Sequence, residues 1–225
     1  MKKQILKSAL IAMAGVGLLA GGAMAVPVTV SYTADNIVET YFLQGGAIVS
    51  NLSAGDNRAN WEIADTQVLN LNAGQAYSLI WEVTNIGANS STNPAAFLGQ
   101  IDFGASAPYF SDATWTYARE DDRDDPLKDT YTNNFNSGWQ WINTTTYGYN
   151  GGTNIWTNVH SGAVAGISTS AQWIWSDLNF GDVDSDQHLW IRADFTPVPE
   201  PATMLLFGTG LAGLAAVARR RKTQA

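Results

Sequence analysis

The sequence predicts an all-β domain folded as a two-sheet sandwich, most simply a jelly roll. Between residues 26 and 196, short segments rich in β-branched and aromatic residues alternate with connections rich in Gly, Asn and Asp. No part of this region repeats its apolar residues with the 3.6-residue period of an amphipathic helix. About ten such segments in one chain of this size favour two packed sheets.

The predicted strands follow one another along the whole of this region. In the segment from Ala76 to Val83, the odd-numbered residues share one face and are all large and apolar, so we expect that face to be core. The predicted strands are Val28–Thr33, Ile37–Leu43, Thr66–Leu71, Ala76–Val83, Phe97–Phe103, Thr114–Ala118, Trp139–Thr146, Ile155–Val159, Ala171–Ser176 and Leu189–Phe195.

Residues 1–25 have the organisation of a cleavable secretory signal peptide. Three lysines precede an apolar run from Ala9 to Ala20, and small residues stand at Ala23 and Ala25. Cleavage after Ala25 by signal peptidase, following passage through the secretion translocon, would leave residues 26–196 as the exported domain. The alternative is an uncleaved membrane anchor.

The C-terminal segment, residues 197–225, has the features of a minimal membrane anchor. Its 17 residues from Ala202 to Ala218 carry no charge, and as a helix they would rise about 26 Å, slightly short of a hydrocarbon core of about 30 Å. They can span the membrane as a transmembrane helix if the bilayer thins or flanking side chains snorkel. Cations directly after such a span stay on the cytoplasmic side. The residues before the run are Val198, Pro199, Glu200 and Pro201, and the cations after it are Arg219, Arg220, Arg221 and Lys222.

This order of Pro-Glu-Pro, short apolar helix and basic cluster resembles the PEP-CTERM sorting signal of Gram-negative bacterial surface proteins. The resemblance implies that exosortase recognises an inner-membrane-anchored precursor, which then reaches the cell surface or the extracellular (biofilm) matrix. It also implies an association with exopolysaccharide. The alternative is an ordinary single-span tail anchor in which Pro-Glu-Pro is only a linker.

Charge and cysteine content exclude several classes of protein. The exported region holds five Lys and Arg against 19 Asp and Glu, a net charge of −14. Such a domain repels nucleic acid, so nucleic-acid binding is not expected, whereas divalent cations are plausible companions. The chain has no cysteine, which excludes disulfides, thiolate metal sites and cysteine nucleophiles.

A second resemblance concerns the exported domain. Its segments at 34–36, 60–61, 71–77, 83–85 and 97–99, together with 171–175 and 191–195, resemble the galactose-binding-like jelly-roll modules of extracellular bacterial proteins. Such modules often bind glycans. The chain lacks a set of sugar-contacting residues that could be carried over from them, and residues 104–170 lie outside the resemblance.

No catalytic residues stand out, so we predict a protein that is not an enzyme. The chain has only two histidines, His160 and His188, and no Gly-x-Ser-x-Gly elbow. Glycoside hydrolysis needs two carboxyl groups about 5 to 10 Å apart, and nothing selects a pair among the acidic residues. A secreted glycan-active hydrolase remains the alternative.

Three carboxylates at alternate positions, Asp182, Asp184 and Asp186, form the best candidate for a metal site. Oxygen ligands in a Gly-flanked loop suit a hard cation such as structural calcium. The spacing is not that of an EF-hand, because Gln187 and Ala193 occupy the positions of the required Gly and Glu. The alternative is a solvated turn.

Two pairs of tryptophans are candidates for glycan binding, because an indole offers a large rigid surface for the apolar face of a sugar. They are Trp139 with Trp141 and Trp173 with Trp175. If Ile174 faces the interior, the second pair forms an exposed platform; otherwise both indoles belong to the core. The sequence thus predicts an exported protein that binds or spaces exopolysaccharide, with a structural filler without ligand as a further alternative.

Overall fold

The computed structural model describes residues 25–52, 60–86, 90, 93–104, 106–119, 139–153, 162–176, 188–198, 208–214 and 219. Within these ranges the chain is mostly β, with two antiparallel sheets that face each other and one short helical stretch. This arrangement confirms the predicted all-β class and is that of a sandwich.

Twelve strands make up the two sheets. Sheet A has the order β10-β11-β6-β1-β4, with β7 also paired to β6, and sheet B has the order β3-β2-β5-β12-β8-β9. The strands are β1 (Ala25–Asp35), β2 (Ile37–Gln44), β3 (Ala47–Leu52), β4 (Asp65–Asn72), β5 (Tyr77–Thr84), β6 (Ala96–Asp102), β7 (Tyr109–Phe110), β8 (Thr116–Arg119), β9 (Ile142–Asn143), β10 (Thr145–Tyr149), β11 (Gln172–Trp175) and β12 (His188–Phe195).

Most predicted strands are present within one to three residues of their predicted ends. The predicted segment Trp139–Thr146 is wrong as one strand, since Ile142–Asn143 joins sheet B and Thr145–Tyr149 joins sheet A. Strand β3 is not among the predicted strands; it lies at the edge of sheet B, and its Val49 side chain is 56% exposed. The predicted strand at 155–159 lies outside the described residues.

Two glycine turns close the same end of the molecule. Gly45 and Gly46 join β2 to β3 and have φ values of 58° and 82°, as a two-residue hairpin of type I′ requires. Gly74, with φ of 76°, lies in the turn that carries the chain from β4 in sheet A to β5 in sheet B. Both turns therefore depend on glycine for their backbone conformation.

Aromatic rings fill the space between the sheets. Trp81 of β5 stacks on Trp115 with 5.2 Å between ring centroids and 7° between ring planes, and it also contacts Phe97 and Tyr32 of sheet A. The inward residues of β5 from Tyr77 to Val83 all belong to this core, as predicted. Burial of such side chains contributes roughly 1.5–3 kcal/mol each relative to exposure.

The C-terminal segment is described only in part. Residues 208–214 are helical and exposed. Of the residues that the structure describes, no helix is long and apolar enough to cross a membrane. The predicted transmembrane run of 202–218 extends on both sides beyond these described positions.

Asp35, the last residue of β1, is a buried carboxyl group. It is 3% exposed, and its Oδ1 atom accepts no hydrogen bond. Burial raises the pKa of Asp35 to about 7. Between about pH 4 and pH 7 the folded protein therefore holds this proton while the unfolded chain has lost it, and the free energy of unfolding falls as the pH rises through this window.

Replacing Asp35 by Asn should remove this pH dependence. We expect the Asp35→Asn protein to gain stability relative to wild type as the pH rises, by up to about 4 kcal/mol above pH 7, because Asn cannot ionise. Urea unfolding of the purified full-length proteins from about pH 4.5 to pH 8.5 measures the difference. Parallel pH profiles for the two proteins would contradict the assignment.

Candidate functional site

The outer face of sheet B brings together aromatic, charged and hydroxyl side chains that could bind a ligand. Side chains alternate along each strand, and cross-strand partners point to the same side of a sheet. The outward residues of β2, β5 and β12 therefore form one face. Its members, with two tryptophans that lie over it, are Glu39, Tyr41, Leu43, Ser78, Ile80, Glu82, His188, Trp190, Arg192, Asp194, Trp139 and Trp141. We call this set the outer face.

Trp139 and Trp141 are half-buried against the apolar centre of the outer face. Their rings stack on each other at 5.7 Å, and Trp139 meets Trp190 edge-on at 4.8 Å. The Arg192 guanidinium lies 5.3 Å from the centre of the Trp141 ring. The two indoles are therefore stacked rather than side by side, and a sugar could reach only their outward edges and the part of each ring that remains exposed.

Beside the indoles lies a polar network across three strands. Tyr41 donates its hydroxyl proton to Glu82 at 2.8 Å, and His188 Nε2 lies 3.1 Å from the other oxygen of Glu82. Burial alone would raise the pKa of Glu82, but the hydrogen bonds from His188 and Tyr41 and the attraction of His188 outweigh it and lower that pKa. Burial and the neighbouring carboxylates raise the pKa of Tyr41. Glu82 is thus held as a carboxylate, and Tyr41 as a neutral donor.

A second cluster of polar side chains, Arg192, Asp194 and Ser78, borders a groove. Arg192 Nε donates to Asp194 Oδ1 at 2.8 Å, and the Ser78 hydroxyl donates to the same oxygen. The groove has a volume of about 560 Å³ and is lined by Gly45, Gly46, Ala76, Tyr77, Ser78, Arg192, Asp194, Phe195 and Thr196. Because Arg192 contacts both Trp141 and Asp194, the indoles and the groove form one continuous surface.

The predicted platform of Trp173 and Trp175 does not exist, since the two side chains are 2% and 0% exposed. Trp175 packs in the core between the sheets together with Ile174. Trp173 packs on the other side of sheet A, beneath Val164 and Ile167 of the connection between β10 and β11. Sequence alternation alone could not show that this connection folds over the strand and covers its outer side.

The predicted calcium ligands Asp182, Asp184 and Asp186 lie outside the described residues, as does His160. Among the residues that are described, no three His, Cys, Asp or Glu side chains are grouped so that they could hold a metal ion. The calcium site therefore stays a prediction.

The described chain leaves the domain at the end of β12. Phe195 packs against Tyr77 and Phe103, and the Gly74 N–H donates to the Pro197 carbonyl at 2.8 Å. Pro197 is buried, whereas Val198 is 49% exposed. The folded contacts thus continue up to the residue before Val198.

Residues 197–222 match the family model of the PEP-CTERM protein-sorting motif. The motif begins at the last residue that the folded domain buries. No curated protein and no solved structure matches the chain.

The PEP-CTERM motif indicates an exported protein that exosortase processes, with a membrane-anchored precursor that is then delivered to the surface. Of the predicted motif residues, Val198 and Arg219 are described and exposed. Pro199, Glu200, Pro201, Arg220, Arg221 and Lys222 lie outside the described part of the chain. At the other end, Ala23 is also outside it, and Ala25 begins β1.

The sequence analysis does not predict two polar groups of the outer face. One is the network of Tyr41, Glu82 and His188, and the other consists of Arg192, Asp194 and Ser78. Alternation places each of these residues on the polar side of its own strand. Their proximity depends on β2 and β12 pairing with opposite edges of β5, in a register that the sequence does not reveal.

Alanine substitutions should distinguish the buried from the half-buried tryptophans. Trp175→Ala should lower the free energy of unfolding by about 3–5 kcal/mol, because it opens a cavity between the sheets. Trp141→Ala should cost no more than about 1–2 kcal/mol, since part of its ring already contacts water. Urea denaturation of the full-length variants measures both, and equal losses at the two positions would contradict this assignment of burial.

Proposed function

We propose that this chain is a non-catalytic surface protein that exosortase releases from a membrane anchor and that holds exopolysaccharide on the outer face of sheet B. The observation that carries the proposal is the PEP-CTERM motif at residues 197–222, directly after a folded domain. The aromatic and charged residues of the outer face are the reason for proposing a polysaccharide as the ligand.

The C-terminal segment would anchor the precursor for processing. In this proposal the uncharged run of 202–218 lies in the inner membrane of a Gram-negative bacterium, and the basic residues from Arg219 to Lys222 hold its end in the cytoplasm. The signal peptide of residues 1–25 would already have been removed. Because Val26 is buried in β1 and paired with Leu71, signal peptidase must act before that strand joins the sheet.

Glycan binding is supported by the chemistry of the outer face. Proteins recognise sugars by combining aromatic contacts to C–H groups with charged side chains that bond hydroxyl groups. Trp139 and Trp141 offer aromatic surface for such contacts. Arg192 and Asp194 offer charged groups for the sugar hydroxyls, beside a groove of about 560 Å³. The resemblance of the chain to galactose-binding-like jelly-roll modules supports the same ligand class.

The state of Glu82 favours binding over hydrolysis. Glu39 and Glu82 are cross-strand partners, and both approach the Tyr41 hydroxyl, at 3.5 and 2.8 Å. A glycosidase needs a carboxylic acid whose pKa is raised so that it can protonate the leaving group. The pKa of Glu82 is lowered, and the Tyr41 hydroxyl is hydrogen-bonded to both carboxylates. A glycan-active hydrolase is therefore the less favoured candidate.

Sorting can be tested by changing the motif. Glu200→Ala, or replacement of Arg219, Arg220 and Arg221 by Ser, should leave the precursor in the inner membrane, because in each case exosortase loses part of the signal that it recognises. Fractionation of the host cells, with immunoblotting for precursor and product, measures this. Normal surface delivery of both variants would favour a simple tail anchor.

Glycan binding can be tested on the outer face. The Trp139→Ala and Trp141→Ala variants should bind exopolysaccharide from the host cells about tenfold more weakly, which corresponds to about 1.4 kcal/mol of lost aromatic contact. Tyr149→Ala is the matched control, since Tyr149 is an exposed aromatic residue of sheet A. Affinity electrophoresis of the folded full-length proteins measures retention. Equal retention of all three variants would favour a filler without ligand.

A further inference from the structure

Both ends of the exported domain lie at one pole of the sandwich. Ala25 is paired with Asn72, and two residues later Gly74 is hydrogen-bonded to Pro197. Cross-strand spacing and the length of two peptide units place the Cα atoms of Ala25 and Pro197 within about 20 Å of each other. We call this end, formed by residues 44–47, 72–76 and 196–198, the near pole.

The three segments that form the near pole contain no charged residue, although the exported region has a net charge of −14. The segments from which the sorting motif leaves the domain are therefore neutral. The nearest described charges are those of Arg192 and Asp194, which pair with each other and line the groove beside these segments.

The short distance to the motif limits what can lie between the domain and the membrane. Five peptide units separate the buried Pro197 from Ala202, the first residue of the uncharged run. Even when fully extended they reach no more than about 18 Å. The headgroup layer on one side of a bilayer occupies about 5–8 Å of that distance. An enzyme that binds residues 198–201 therefore works within about 18 Å of the near pole.

We infer that the near pole docks on the extracytoplasmic surface of exosortase and that this contact contributes to recognition of the precursor. The hydrogen bond between Gly74 and Pro197 fixes the position at which the motif leaves the domain. The groove between the Gly45–Gly46 hairpin and Thr196 opens at the same pole and offers a recess for a protein loop. This inference rests on the proposed processing by exosortase.

The test places charge on the near pole of the full-length precursor. Gln44 and Gln75 are exposed there, and the double variant Gln44→Asp with Gln75→Asp adds two negative charges. The matched control is Gln140→Asp with Thr169→Asp, which adds the same charge at exposed positions away from the pole. A third chain carries a flexible ten-residue Gly/Ser insert between Val198 and Pro199. Pulse-chase labelling in the host cells measures conversion of precursor to product.

We expect the near-pole variant to be processed roughly fivefold more slowly than wild type and the control variant at the wild-type rate, because a charge at the rim of an interface slows association with the partner. The insert should also slow processing, since it separates the motif from the docked pole. Processing of the near-pole variant at the control rate, or unimpaired processing of the chain with the insert, would overturn the docking surface.

The Glu200→Ala chain separates this result from the sorting proposal. If Glu200→Ala blocks processing while the near-pole variant is processed normally, only the docking surface is wrong. If Glu200→Ala is processed normally, recognition of the motif itself fails, and the docking inference fails with it. Limited proteolysis of each precursor in isolated membranes checks that the variant domains remain folded.

Discussion

The packing of Trp81 against sheet A is the contact on which the rest of the structure depends. Trp81 lies in β5, at the centre of sheet B, and its ring is stacked on Trp115 and touches Phe97 and Tyr32. With this side chain inward, the period-two alternation of a strand turns Ile80 and Glu82 outward. The orientation of one large residue therefore determines which residues of β5 are available to a ligand.

The aromatic core also explains how an exported chain without disulfides can be stable. Five tryptophans are fully buried in the described part of the chain: Trp81, Trp115, Trp173, Trp175 and Trp190. Each removes a large apolar area from water, which is the main favourable term in folding. Two of them lie outside the space between the sheets: Trp173 is covered by the connection between β10 and β11, and Trp190 is buried on the outer face, where Trp139 covers it. The proposed binding surface is thus built on an apolar layer of its own.

The three segments of the near pole are uncharged, whereas the exported region as a whole has a net charge of −14. After release, a strongly negative net charge favours solubility and discourages contact with nucleic acid and acidic polymers. Arg192 lies beside Trp141 on the outer face and is one of the two arginines described between residues 25 and 198.

The sequence by itself determined the all-β class, the inward side of β5 and the C-terminal sorting motif, because each depends on the local order of residues. Alternation within one segment identifies the buried face of a strand. The sorting motif is identified by Pro-Glu-Pro, an apolar segment and a basic segment that follow one another along the chain. Only the tertiary structure decided the burial of Trp173 and Trp175, since Trp175 lies between the sheets and the connection between β10 and β11 folds over Trp173. The meeting of Tyr41, Glu82 and His188 likewise required the pairing of β2, β5 and β12, because strand register is a property of long-range contacts and not of any single segment.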